Sequence, residues 1–151
     1  MDQAHVHLLV NHLPVFASIV GGLLLARAIW VDSDDTKIAA YYVLILAAIG
    51  AIIAYLTGEG AEDRVENIHG ISKETIHIHE ASALIALVSL IILGLIAVAG
   101  IYVTTKKSSL TDAMAFVTVV ISLISFILVA RTGYLGGQIR HTEIHSDLEG
   151  K

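Results

Sequence analysis

The sequence predicts an all-α protein in which four transmembrane helices form an up-down-up-down bundle with both termini on the same side of the membrane. Three observations support this fold class. The 151 residues are 56% hydrophobic, with a mean hydropathy of +0.78. Only 15% are charged, whereas about a quarter is usual for a soluble domain. The apolar residues also lie in four blocks, each long enough for the roughly 20 residues that cross a bilayer as a helix.

The four blocks predict the elements in order within a single integral membrane domain, residues 1–151. We predict helices over residues 8–31, 38–57, 79–103 and 112–137. Short polar turns follow the first and third helices, and a longer connection, 58–78, joins the second to the third. Because short loops join antiparallel neighbours, the two turns lie at one face, and the connection and both termini lie at the other.

Lys and Arg residues predict the sidedness. Those on the turn side lie in or near the two short turns: Arg27, Lys37, Lys106 and Lys107. The remaining five are spread over a much longer stretch. Cytoplasmic loops are enriched in Lys and Arg, so their density places the turns inside and the termini outside.

All the histidines fall at the predicted outer face, which we call the histidine face. They are His5, His7, His12, His69, His77, His79, His141 and His145. Ionisable groups beside hydrocarbon are costly and usually have a partner or a task. The two halves of the chain also share a pattern. The first and third helices begin with histidines, and the second and fourth end in Thr-Gly. The histidine face is therefore the predicted functional face.

Two of these histidines predict a haem b site. His12 and His79 each immediately precede an apolar run, on helices that cross in the same direction, so they should lie at matched depth. Opposed imidazoles on neighbouring helices are the axial ligands of a b-type haem. His7 and His77 take their places if the helices are shifted by a few residues.

Small and cationic residues accompany the histidines. Gly58, Gly136 and Gly137 lie at the same level, where glycine would let a macrocycle approach the backbone. Arg131 and Arg140 would pair with haem propionates, as guanidinium groups do with carboxylates. Alternatively, Glu80 or Glu59 neutralises Arg131, which lies about one turn inside the membrane.

A non-haem metal site is the second hypothesis. The chain has no cysteine, so copper, iron or zinc would be held by histidine nitrogen and by oxygen ligands. The candidate ligands are His7, His12, His77, His79, His141 and His145. His141 and His145 flank Glu143, and together the three residues would offer both nitrogen and oxygen ligands. A third hypothesis is a structural accessory subunit without a cofactor, in which the histidines are only solvated.

The stretch His7-Leu8-Leu9-Val10-Asn11-His12-Leu13-Pro14 resembles the opening of a widespread family of small bacterial predicted membrane proteins. That family tends to have Thr-Gly after the second helix, a histidine opening the third, and Gly-Gly after the fourth. Thr57-Gly58, His77 or His79, and Gly136-Gly137 fall in those places here. The family is distantly similar to four-helix b-type cytochromes, which implies haem and the bacterial inner membrane. Those cytochromes commonly have haem ligands near both faces, whereas here the candidate ligands lie near one.

The predicted function is electron transfer at the outer face, by a haem b protein rather than a stand-alone enzyme. It would act as a small subunit of a larger redox complex. The expected partners are the lipid bilayer, other membrane redox subunits, and a quinone or an external electron carrier. A homo-oligomer is compatible with this reading. The net charge of −5 argues against nucleic acid.

Overall fold

The computed structural model describes residues 3–65 and 73–140, with side chains described over 5–58 and 73–138. The described residues form helices and turns. The helices are α1 Gln3–Val10, α2 His12–Trp30, α3 Asp34–Val65, α4 Lys73–Thr105 and α5 Thr111–Arg140. The predicted fold class is confirmed: four helical spans are long and apolar enough to cross a membrane, as expected for an integral membrane protein in a lipid bilayer. These spans are His5–Trp30, Asp34–Gly58, Lys73–Thr105 and Thr111–Gln138.

The four long helices pack as a closed ring. Helix α3 lies between α2 and α4, and α5 contacts both α4 and α2. Helices α3 and α4 extend beyond the apolar blocks, to Val65 and from Lys73. Polar residues such as Glu and Lys continue a helix readily, because its backbone hydrogen bonds do not require apolar side chains. The apolar pattern therefore predicts where a helix enters the membrane better than where it ends.

A proline divides the first span into α1 and α2. Pro14 has no backbone N–H, so it cannot bond to the carbonyl of Val10, four residues earlier. Helix α1 ends at that residue, and Asn11 forms a turn whose N–H donates to the carbonyl of His7 at 2.9 Å. Helix α1 then packs mainly on α3. His7 lies on α1, the helix that faces α3.

A cluster of ion pairs around one buried lysine lies at the turn face. The side chain of Lys37 is only 2% exposed, and its ammonium lies 2.8 Å from Asp112 and 3.2 Å from Asp34. Asp32 lies at 3.5 Å from the same nitrogen. Because Asp112 begins α5, the lysine ties the start of α3 to the start of α5.

Small residues form the contacts between the helices. A Cβ built on Gly94 would lie 2.7 Å from the Cβ of Ala48, and one on Gly50 would lie 2.9 Å from the Leu13 side chain. Large apolar side chains such as Phe16 and Leu95 are exposed on the outside. In lipid, helices associate through close packing and polar contacts rather than through the hydrophobic effect. This distribution is therefore the one expected for a membrane bundle.

Candidate functional site

His7 is held on α3 by a backbone carbonyl. Its Nδ1 lies 2.8 Å from the carbonyl oxygen of Ala54, so Nδ1–H donates. The ring is partly buried. Gly58 follows Ala54 by one helical turn, and a Cβ built there would lie 3.6 Å from Cε1 of His7. Because a neutral imidazole has one N–H, this bond leaves the lone pair of Nε2 available for a ligand.

His79 is held on α5 in the same way. Its Nδ1 lies 3.1 Å from the carbonyl oxygen of Thr132 and donates to it. Gly136 follows Thr132 by one turn, and a Cβ built there would lie 3.0 Å from Cε1 of His79. The same arrangement thus occurs twice in the bundle. In each, an imidazole donates to the carbonyl of a residue four positions before a glycine.

The two arrangements lie at one end of the bundle. His7 and His79 are within electrostatic range of each other. Helices α3 and α4, one from each arrangement, pack directly together. The structure therefore places four residues that the sequence singled out in two adjacent pairs, His7 beside Gly58 and His79 beside Gly136.

His12 and His77 take exposed positions. His12 lies five residues after His7, which turns the two side chains about 140° apart around a helix. With His7 facing α3, His12 faces outward and is exposed. The His77 side chain is 87% exposed, and its Nδ1 lies 3.4 Å from a carboxylate oxygen of Glu80. The pairing of His12 with His79 stays a prediction, but the geometry favours His7 as the partner of His79.

Arg131 belongs to a hydrogen-bonded network behind His79. Its guanidinium donates to the hydroxyl of Ser82 at 3.0 Å. That hydroxyl also lies 2.9 Å from the hydroxyl of Thr132, the residue whose carbonyl binds His79. Arg131 is otherwise exposed.

Ser82 and the two carbonyl acceptors are site residues that the sequence analysis missed. A glycine one turn after each acceptor is the signal that could have found them.

Several predicted site residues lie outside the described side chains: Glu59, His69, Arg140, His141, Glu143 and His145. Gly137 is described, and a Cβ built on it would meet nothing within 4 Å. Among the described residues, no three side chains of the metal-binding types come together as a metal site.

A haem site and a non-haem metal site differ in the number of ligands that the protein must supply. Non-haem zinc, copper and iron sites use about three or four protein ligands. Haem iron takes four nitrogens from the porphyrin and needs only two from the protein. Among the described side chains, two oriented imidazoles match the number of protein ligands that haem iron takes.

Comparisons of the chain with protein-family models, with curated proteins and with solved structures found no match.

Proposed function

We propose that this protein is a membrane-bound b-type haem protein that transfers electrons at the histidine face, with His7 and His79 as the axial ligands. The repeated bond from Nδ1–H to a backbone carbonyl carries the proposal. Histidines that bind metals almost always donate their other ring N–H to such an acceptor, which fixes the tautomer and the orientation of the ring. Both histidines meet this requirement in the polypeptide itself.

The surroundings of the imidazoles fit a flat macrocycle. Gly58 and Gly136 present bare backbone beside Cε1 of the two rings, so no side chain of theirs obstructs a porphyrin edge. Arg131, which precedes Thr132 in the chain, has a guanidinium group that uses only part of its hydrogen-bonding capacity on Ser82. The remaining N–H groups are suited to a haem propionate. Arg140 is the second candidate for that role. The chain thus supplies bare backbone beside both rings and a cationic partner for the acidic groups of haem.

The chemistry follows from the ligand set. Haem, when bound, supplies an iron that cycles between the ferric and ferrous states. The chain supplies two imidazoles, which leave no open coordination position for a substrate. The hydrogen-bonded carbonyls hold the rings in place. Such a site favours electron transfer over oxygen chemistry, so a stand-alone enzyme is not expected.

A site near one face implies a partner. Electrons would pass to or from another membrane redox subunit, a quinone or an external carrier that reaches the histidine face. The density of Lys and Arg at the turn face supports an outward orientation of the site, in a bacterial inner membrane.

The proposal is tested by the spectrum of the protein purified from cells with an ample haem supply. We expect a Soret band and, on reduction, a sharp α-band, with a stoichiometric amount of haem in the pyridine haemochrome assay. Elemental analysis of the same sample tests the alternatives. Stoichiometric copper, iron or zinc without porphyrin absorbance would instead support a non-haem site, and neither haem nor metal would support an accessory subunit.

A matched pair of glycine substitutions tests the slot beside His79. In Gly136→Ala, the added Cβ crowds the imidazole of His79, and we expect haem affinity to fall roughly tenfold, as when an outer partner of a ligand is lost. Gly137→Ala adds the same methyl group where a Cβ meets nothing within 4 Å. It should leave affinity unchanged. Haem titration of the apoprotein measures both, and equal effects would argue against the slot.

A further inference from the structure

The two histidines of the proposed haem site lie at the level where the bundle meets the membrane surface. The carbonyl acceptor of His7 directly precedes Tyr55, and that of His79 lies two residues before Tyr134. Both tyrosine side chains are exposed on the outside of the bundle. Tyrosine is enriched where the hydrocarbon meets the polar headgroups. The two imidazoles therefore lie close to the aqueous phase rather than near the middle of the bilayer.

Two helices continue past this level. Helix α3 runs seven residues beyond Gly58, to Val65, and α4 begins at Lys73, six residues before His79. At 1.5 Å per residue, each helix projects about 10 Å beyond the site. One of them carries the carbonyl acceptor of His7 and the other carries His79, and the two helices are neighbours in the bundle. A partner that approaches the histidines from the water therefore meets these helix ends.

The net negative charge of the protein falls entirely on the side of the histidine face. The turn face has four cations and four carboxylates, so its formal charge is zero; the carboxylates are Asp32, Asp34, Asp35 and Asp112. The rest of the chain has ten Asp and Glu residues against five Lys and Arg residues, which accounts for the whole formal charge of −5. Residues 59–65 alone have three carboxylates and one arginine. The face that carries the histidines is therefore the one that attracts cations.

We propose that the histidine face docks a water-soluble one-electron carrier protein whose contact surface is positively charged. This inference rests on the proposed haem site and names the partner that exchanges electrons with it. Opposite charges accelerate the encounter of two proteins and favour one mutual orientation. Electron-transfer complexes have some of the smallest protein interfaces, so attraction between charges can replace a large apolar contact. One electron then passes from the reduced site to the oxidised carrier, and no bond forms or breaks.

A basic c-type cytochrome and the same cytochrome with succinylated lysines are the two probes. The full-length protein, loaded with haem in nanodiscs of phosphatidylcholine, which has no net charge, is reduced and mixed with each oxidised cytochrome in a stopped-flow spectrometer. We expect the succinylated form to be reduced at least about tenfold more slowly. Added salt should shrink this difference, because it screens the charges. Equilibrium binding of the basic cytochrome to the same nanodiscs is a readout that does not depend on electron transfer.

Glu74→Lys and Asp35→Lys form a matched pair of variants. Each replaces an exposed carboxylate at the second residue of a helix, but Glu74 lies at the histidine face and Asp35 at the turn face. We expect Glu74→Lys alone to weaken binding of the basic cytochrome several-fold. Equal effects of the two variants, or equal reduction rates for the two cytochromes, would overturn the docking surface. Absence of a haem spectrum would instead overturn the proposed function, so the two failures are distinguishable.

Discussion

Replacing His7 or His79 with alanine is expected to abolish the low-spin bis-histidine spectrum of the haem-loaded protein, while replacing His12 leaves it unchanged. Each alanine removes one axial nitrogen, so the iron either becomes high-spin or is lost with the haem. His12 is exposed on the far side of its helix and cannot substitute without a rotation of α1 against α2. Optical and electron paramagnetic resonance spectra of the purified variants measure the outcome.

Added imidazole separates ligation from folding. A free imidazole molecule should enter the space left in His79→Ala and restore the low-spin spectrum if the residue acts as a ligand. His77→Ala is the control, because His77 is two residues away and exposed, and its spectrum should match that of the unmodified protein. An unchanged spectrum in His7→Ala together with its loss in His12→Ala would restore the pairing of His12 with His79.

The largest loss of stability is expected from Gly100→Ala. The added Cβ would overlap the ring of Tyr41, which is fully buried. Overpacking of a well-packed core typically costs about 1–3 kcal/mol. Gly133→Ala, where a Cβ meets nothing within 4 Å, should be neutral or gain up to about 1 kcal/mol from helix propensity. Unfolding in mixed micelles with increasing denaturing detergent compares the two.

A smaller residue at position 41 should relieve the clash. In the background of Tyr41→Leu, we expect Gly100→Ala to cost much less than it does alone, because two residues in contact do not contribute additively. Additive losses would show that the destabilisation arises elsewhere in the helix. The double-mutant cycle uses the same unfolding assay.

The fold could be predicted from the sequence because a bilayer demands long apolar segments, and these are visible as blocks. The division of the first span at Asn11 could have been inferred from Pro14, but the apolar run continues through it and hides the break. The depth argument paired His12 with His79 and gave His7 as a substitute, and two of these three candidates, His7 and His79, are the histidines that donate to backbone carbonyls.

The side to which each histidine points could not be predicted. In a soluble helix the polar face indicates the outside, but here both the lipid-facing and the buried sides are apolar. Residue size is the remaining signal: Ala47 and Gly94 are buried, whereas Phe16 and Leu95 are exposed. The carbonyl acceptors are hard to single out as well, since every residue has a carbonyl, and the glycine one turn after Ala54 and Thr132 is the only mark that the sequence gives them.

The repeated histidine arrangement also bears on the ancestry of the chain. His7 with Ala54 and Gly58 matches His79 with Thr132 and Gly136, in the same order and with the same four-residue step between acceptor and glycine. The two Thr-Gly pairs in the sequence, Thr57-Gly58 and Thr132-Gly133, give a slightly different alignment of the halves. It is shifted from the structural match by about one helical turn. Membrane proteins with internal repeats commonly keep such equivalences between their halves. A match of this kind is what the duplication of a pair of helices would leave in a chain.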